Sequence, residues 1–158
     1  MATFTVHHWS NLKSGIQEMR RVTRGPVVIL SCDPAALKLF WLHEYAPEVT
    51  EVEAARYPPI SAITQLLGGR VEVVGVSIPI DCMDGFNEAY FGRPERLLDP
   101  GARLACSGWS FVTPEESQRF VSTLGRDLKD GTWDRRFGHF RSMTEFIGPL
   151  RLIVGYSA

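Results

Sequence analysis

Apolar positions along this chain fall into blocks whose spacing changes from continuous runs to alternation to helical periodicity. Thr3, Phe4, Thr5 and Val6 are β-branched or aromatic, which predicts a short buried strand over residues 3–6. Leu12, Ile16, Met19 and Val22 then recur at roughly helical spacing, with Lys13, Glu18 and Arg20 on the outer face. Ser10 is placed to cap that helix, predicted over residues 11–21, and Arg24-Gly25-Pro26 ends it. Val27-Val28-Ile29-Leu30 is an uninterrupted apolar run of the kind covered on both faces in a parallel sheet. Strand, helix and strand within about thirty residues predict a right-handed parallel crossover.

Asp33 and Pro34 open a second helix, predicted to run to Tyr45, with Asp33 as cap and Pro34 at its first position. Residues 47–55 are acidic and predict a loop or short turn. Pro58-Pro59 leads into a helix over residues 60–67 that Gly68-Gly69 closes. Residues 70–77 alternate as a strand does. Residues 79–100 predict short helices broken at Gly92-Arg93-Pro94 and at Asp99-Pro100. Pro114-Glu115-Glu116 starts a longer helix to about Leu128, with Phe120, Val121 and Leu124 inward. A short helix and turn over residues 131–141 and a last strand over residues 149–154 complete the chain. The pattern is an α/β fold in one domain, residues 1–158, with a helical insertion at about 79–147.

A hydrophobic content of 44% with 22% charged residues is ordinary for a water-soluble domain. The formal net charge of −1 gives no electrostatic case for binding nucleic acid or an anionic membrane. No apolar run approaches the ~18 residues of a membrane span, and no secretory leader is expected. Cys32, Cys82 and Cys106 are odd in number and lack metal-ligand spacing, so they read as reduced thiols of a cytoplasmic protein.

Candidate chemistry gathers in three places. His7, His8 and Trp9 follow the first strand, where ligands bind in parallel α/β sheets. In an extended segment the two histidines point to opposite faces, so one of them could serve as a base facing a pocket. The competing reading makes one a helix cap and packs the other on Trp9. Trp41 and Tyr45 lie four apart on one helix face, as pocket wall or as core. Asp81, Cys82 and Asp84 follow the third strand; Asp81 is the candidate acid or base, Asp84 reads as the cap of a helix beginning at Gly85, and Cys82 reads as a packed residue rather than a nucleophile and as a candidate substrate contact. Arg93 suits an anionic group, or else an ion pair with Glu95 or Glu88. Trp109 and Trp133 read as anchors of the insertion, Trp109 also as a candidate pocket residue.

The ordered set of segments resembles the C-terminal half of class I SAM-dependent methyltransferases, especially bacterial ones from small-molecule pathways. The resemblance rests on Val6-His7-His8-Trp9-Ser10, Glu18-Met19-Arg20-Arg21-Val22, Asp33-Pro34, Phe40-Trp41-Leu42, Asp81-Cys82, Asp84-Gly85-Phe86, Arg93-Pro94-Glu95, Leu98-Asp99-Pro100 and Gly131-Thr132-Trp133-Asp134. It implies a partial Rossmann-like sheet of about four strands, the last antiparallel, taken from the order three-two-one-four-five-seven-six. It also implies that the helix carrying Trp41 and the insertion cover a substrate. The family's glycine-rich turn after a first strand has no counterpart here, because Gly68-Gly69 closes a helix. No cofactor is expected on this chain alone, and SAM only where a partner supplies the other half. The strand over residues 3–6 would then be an open edge, to be completed by a second chain or a symmetry mate. Three functions follow as expectations: a subunit of a heteromeric biosynthetic enzyme working by cyclisation or leaving-group displacement, the substrate half of a split methyltransferase, or a non-catalytic remnant that binds a partner.

Overall fold

A computed structural model describes residues 1–156. β1 (Ala2–Thr3) pairs in parallel with β2 (Val27–Cys32), and β4 (Glu145–Gly155) runs antiparallel to both β2 and β3 (Val71–Pro79). The order is β1-β2-β4-β3, the arrangement that the resemblance implies for its four strands, with the last one antiparallel.

The first strand is shorter than its β-branched sequence predicts. Phe4 takes a left-handed φ of 49°, which for a bulky residue is strained, and this turns the chain out of the sheet after Thr3. The Phe4 amide still donates to the Leu30 carbonyl at 2.9 Å, closing the ladder. Val6–His8 then form a 3-10 turn rather than a strand end. α1 (Leu12–Val22) is capped by Asn11, whose side chain accepts from the Ser14 amide at 2.9 Å, and not by Ser10. Its apolar face is Leu12, Ile16 and Met19; Val22, expected inward, is exposed.

Arg20 also departs from the outward face. Its guanidinium donates to the carbonyls of Gly155 at 2.9 Å and Leu67 at 2.9 Å. These are the ends of β4 and of α5 (Ile60–Leu67), where helix carbonyls lack partners of their own. Gly68, with a φ of 60°, makes the turn out of α5 that an L side chain would resist.

The predicted helix from Pro34 to Tyr45 is two helices, α2 (Pro34–Leu37) and α3 (Leu42–Tyr45), joined by a turn at 38–41. Asp33 caps α2 as expected, accepting from the Ala35 amide at 3.1 Å. Residues 47–55, expected as loop, belong to α4 (Pro47–Arg56). Pro47 at its first position and the burial of Val49 and Thr50 hold it helical, although its apolar stripe is too narrow to read from sequence. Between β3 and β4 lie, in chain order, 3-10 turns at Asn87–Tyr90 and Pro94–Leu98, α6 (Pro100–Leu104), a 3-10 turn at Ser107–Phe111, α7 (Pro114–Lys129), α8 (Thr132–Phe137) and a 3-10 turn at Gly138–Ser142.

Burial divides into two cores. One gathers Phe40, Trp41, Tyr45, Phe91, Phe120 and Trp133 beneath the inserted helices. The other lies under α1 and α5 and includes the paired strand residues Ile29 and Ile153. Directly paired residues share a face and successive residues alternate. The pairs Val28–Val154 and Leu30–Leu152, with Val74 beside Leu152, therefore point to the opposite face. They belong to neither core; the first four are half-buried and Val74 is 52% exposed.

Candidate functional site

A cavity of about 190 Å³ opens at the carboxyl ends of the parallel strands β1 and β2. Phe4 and Cys32 bring those strand ends to its wall. α4 and the residue after it contribute Glu53 and Tyr57, and the segment after β3 contributes Asp84, Phe86 and Glu88. This is the crevice in which open α/β sheets place ligands.

Two carboxyl groups dominate it. Glu88 is 4% exposed, and burial pushes its carboxyl up to about 8, with Glu53 adding to the rise. Glu53 is also raised by burial, against which the Gly108 amide donates at 3.0 Å and the Ser107 hydroxyl at 3.3 Å to its Oε1. That approach needs glycine at 108, because a Cβ there would stand 2.8 Å from Glu53 Cγ. A protonated Glu88 can donate to a developing anion while Glu53 accepts, which is the division of roles that paired carboxyls in unequal surroundings provide. The thiols beside them are not nucleophiles: burial raises Cys32 strongly and pushes Cys106 up to about 12. Among the described residues, no three His, Cys, Asp or Glu side chains are placed to hold a metal ion.

The residues singled out by sequence lie mostly around this cavity rather than in it. His7 and His8 do not point to opposite faces; the 3-10 turn brings their ring centroids to 3.9 Å, tilted at 45°. His7 also meets the Tyr57 ring at 4.3 Å and lines a neighbouring cleft with Trp9, Arg56 and Pro58, separated from the cavity by Tyr57. Burial, His8 and Arg56 lower His7 to about 4, so it is neutral at pH 7. Trp9 packs against the second core. Trp41 is buried in the first core, its Nε1 donating to the Phe91 carbonyl at 3.0 Å. Tyr45 donates to Asp127 at 3.0 Å, and Trp109 donates to Asn87 at 2.9 Å beneath the cavity wall.

Asp81 is exposed and stands outside the cavity, whereas Asp84 lines it. Asp84 caps no helix at Gly85; its carboxylate accepts from the Gly85 amide at 2.9 Å and its carbonyl from the Phe86 amide at 3.2 Å, and the next turn begins at Asn87. Cys82, half-buried, lends its carbonyl to Arg93, which donates to Cys82 O at 2.7 Å and to Ala89 O at 2.9 Å. Neither expected ion pair of Arg93 forms: Glu95 pairs with Arg141, and Glu88 faces the cavity. Arg93 thus ties the wall segment together. Arg93→Gln should lower stability by about 1–3 kcal/mol, the cost of leaving buried carbonyls unmet. Thermal melting, with faster amide exchange confined to residues 82–90, checks this.

Glu53 escaped the sequence reading because its segment read as loop. Glu88 stood there only as a partner for Arg93. A carboxylate set among Phe86, Ala89, Tyr90 and Phe91 was the available signal.

The sequence matches no protein-family model and no curated protein. It is similar to a crystal structure from Anabaena variabilis ATCC 29413, a protein assigned as a methyltransferase from an antibiotic biosynthesis pathway. The two superpose with a TM-score of 0.87 at 28% sequence identity, over 98% of this chain and 64% of that one. The chain has a methyltransferase-like α/β fold and spans under two thirds of the length of that neighbour. Among the described residues, no helix is long and apolar enough to cross a membrane.

Proposed function

We propose that this chain forms the substrate-binding portion of a methyltransferase-like enzyme of small-molecule biosynthesis, completed by a second chain or a second copy. The observation that carries the reading is the cavity at the β1 and β2 ends, with Glu53 and Glu88 in its wall. Glu88 acts as acid and Glu53 as base on a bound substrate, a division of labour suited to cyclisation or to displacement of a leaving group. Methyl transfer is the alternative, with SAM carried by the completing portion; the assignment of the Anabaena neighbour favours it.

The sheet supports the need for completion. Its face at Val28, Leu30, Val74, Leu152 and Val154 is covered by neither core, and β1 is a two-residue edge strand. A contiguous apolar sheet face of this kind is a docking surface. Native mass spectrometry at micromolar concentration should find the chain in a stoichiometric assembly. Val74→Lys, at an exposed position, should weaken that assembly by about tenfold or more, since a charge must then be buried unpaired. A stable monomer, or an assembly indifferent to Val74→Lys, overturns completion at this face.

A further inference from the structure

We infer that the cavity takes the ammonium group of a small organic amine, held between the carboxyl groups of Glu53 and Glu88. This rests on the reading of the cavity as the substrate site and adds the class of substrate. Of the side chains lining it, Glu53, Asp84 and Glu88 are acidic and none is Lys, Arg or His.

The acidic residues alone would be no argument; the state of Glu88 is. The residue as a whole is 4% exposed and lines the cavity, yet among the described residues no other side chain or amide is hydrogen-bonded to its carboxyl, which meets only its own backbone amide. Buried polar groups in folded proteins nearly always have partners, so an unmet one at a cavity wall marks a place for a ligand donor. Glu53 is half-met in the same sense: among the described residues its two donors, the Gly108 amide and the Ser107 hydroxyl, both go to Oε1 and none reaches Oε2. An ammonium nitrogen carries two or three N–H donors and a positive charge, which matches two acceptors that face one space. Tyr57 and Phe86 line the same cavity and offer apolar ring surface to the carbon skeleton beside that charge. A bare divalent ion fits less well, because no three metal-ligating side chains converge among the described residues.

Two matched sets of probes test this: phenethylamine, 2-phenylethanol and 3-phenylpropionate, then n-butylamine, n-butanol and butyrate. Each is titrated into the isotope-labelled chain while the amides of Gly85, Glu88, Ser107 and Gly108 are followed by NMR. At least one amine should shift these amides with an affinity about tenfold or more above its alcohol and carboxylate counterparts, as a desolvated charge pair requires. Glu53→Gln keeps the shape and should remove that preference, whereas Glu88→Gln, which exchanges a protonated carboxyl for another neutral carbonyl acceptor, should only weaken it. Alcohols or carboxylates that bind the same amides as tightly overturn the amine and leave the substrate site standing. An amine preference that survives both glutamine variants overturns the assignment to these two residues. If no probe moves these amides, both the amine and the substrate site fall.

Discussion

Glu88→Gln is expected to stabilise the folded chain at pH 9 and to change it little near pH 4. The unfolded carboxyl ionises near its ordinary 4.5, whereas in the fold burial and Glu53 raise it to about 8. Between those values the folded state holds a proton that the unfolded state has lost, so stability falls as pH rises through that window. Below 4.5 both states are protonated and the difference vanishes; above 8 the loss is complete. Glutamine, which does not titrate, removes a penalty on the order of 3–5 kcal/mol at alkaline pH. For a chain of this length that corresponds to roughly 10 °C in melting temperature. Melting curves of both proteins between pH 4 and 9 make the comparison. A gain that is the same at every pH would show that Glu88 is not held protonated in the fold. His7 contributes with the opposite sign: its folded value of about 4 lies below its ordinary 6.5, so its share of stability is lost as pH falls.

Trp41→Ala is expected to unfold the inserted lobe rather than to impair ligand binding selectively. The indole is 2% exposed and meets Trp133 edge-on at 5.5 Å and Tyr45 at 6.1 Å. Truncation leaves a cavity and strands the Phe91 carbonyl, together worth about 3–5 kcal/mol. That is a large share of the stability of a domain this size. Trp41→Phe separates packing from recognition, because it restores most of the volume and loses only the hydrogen bond. It should fold, melt somewhat lower, and keep the probe affinities of the parent. A Trp41→Phe protein with parental stability and reduced affinity would return Trp41 to the pocket wall.

Several elements were legible residue by residue. Pro58-Pro59 and Gly68-Gly69 bracket α5, because proline fixes a helix entry and glycine alone tolerates the exit. The run Val27–Leu30 is an inner strand as its apolar sequence predicts, but only the face of Val27 and Ile29 lies in a core; Val28 and Leu30, expected to be covered as well, are half-buried. Asp33 with Pro34 set the start of α2. α4 was not legible: Val49 is buried beside the turn at Gly108 and Thr50 beside His43 of α3, contacts that no local pattern encodes. The candidate site suffered from the same gap. His7 and His8 were placed by assuming an extended strand end, and the left-handed Phe4 abolishes it.

Sequence alone determined the α/β class, the alternation of elements and the last strand, because propensity, periodicity and capping are local properties. Tertiary structure decided which carboxyl groups meet. Glu53 and Glu88 are thirty-five positions apart on a helix and a turn, and only the stacking of both against the ends of β1 and β2 brings them into one cavity. Their ionisation follows from that desolvation and from each other, neither of which exists in the extended chain.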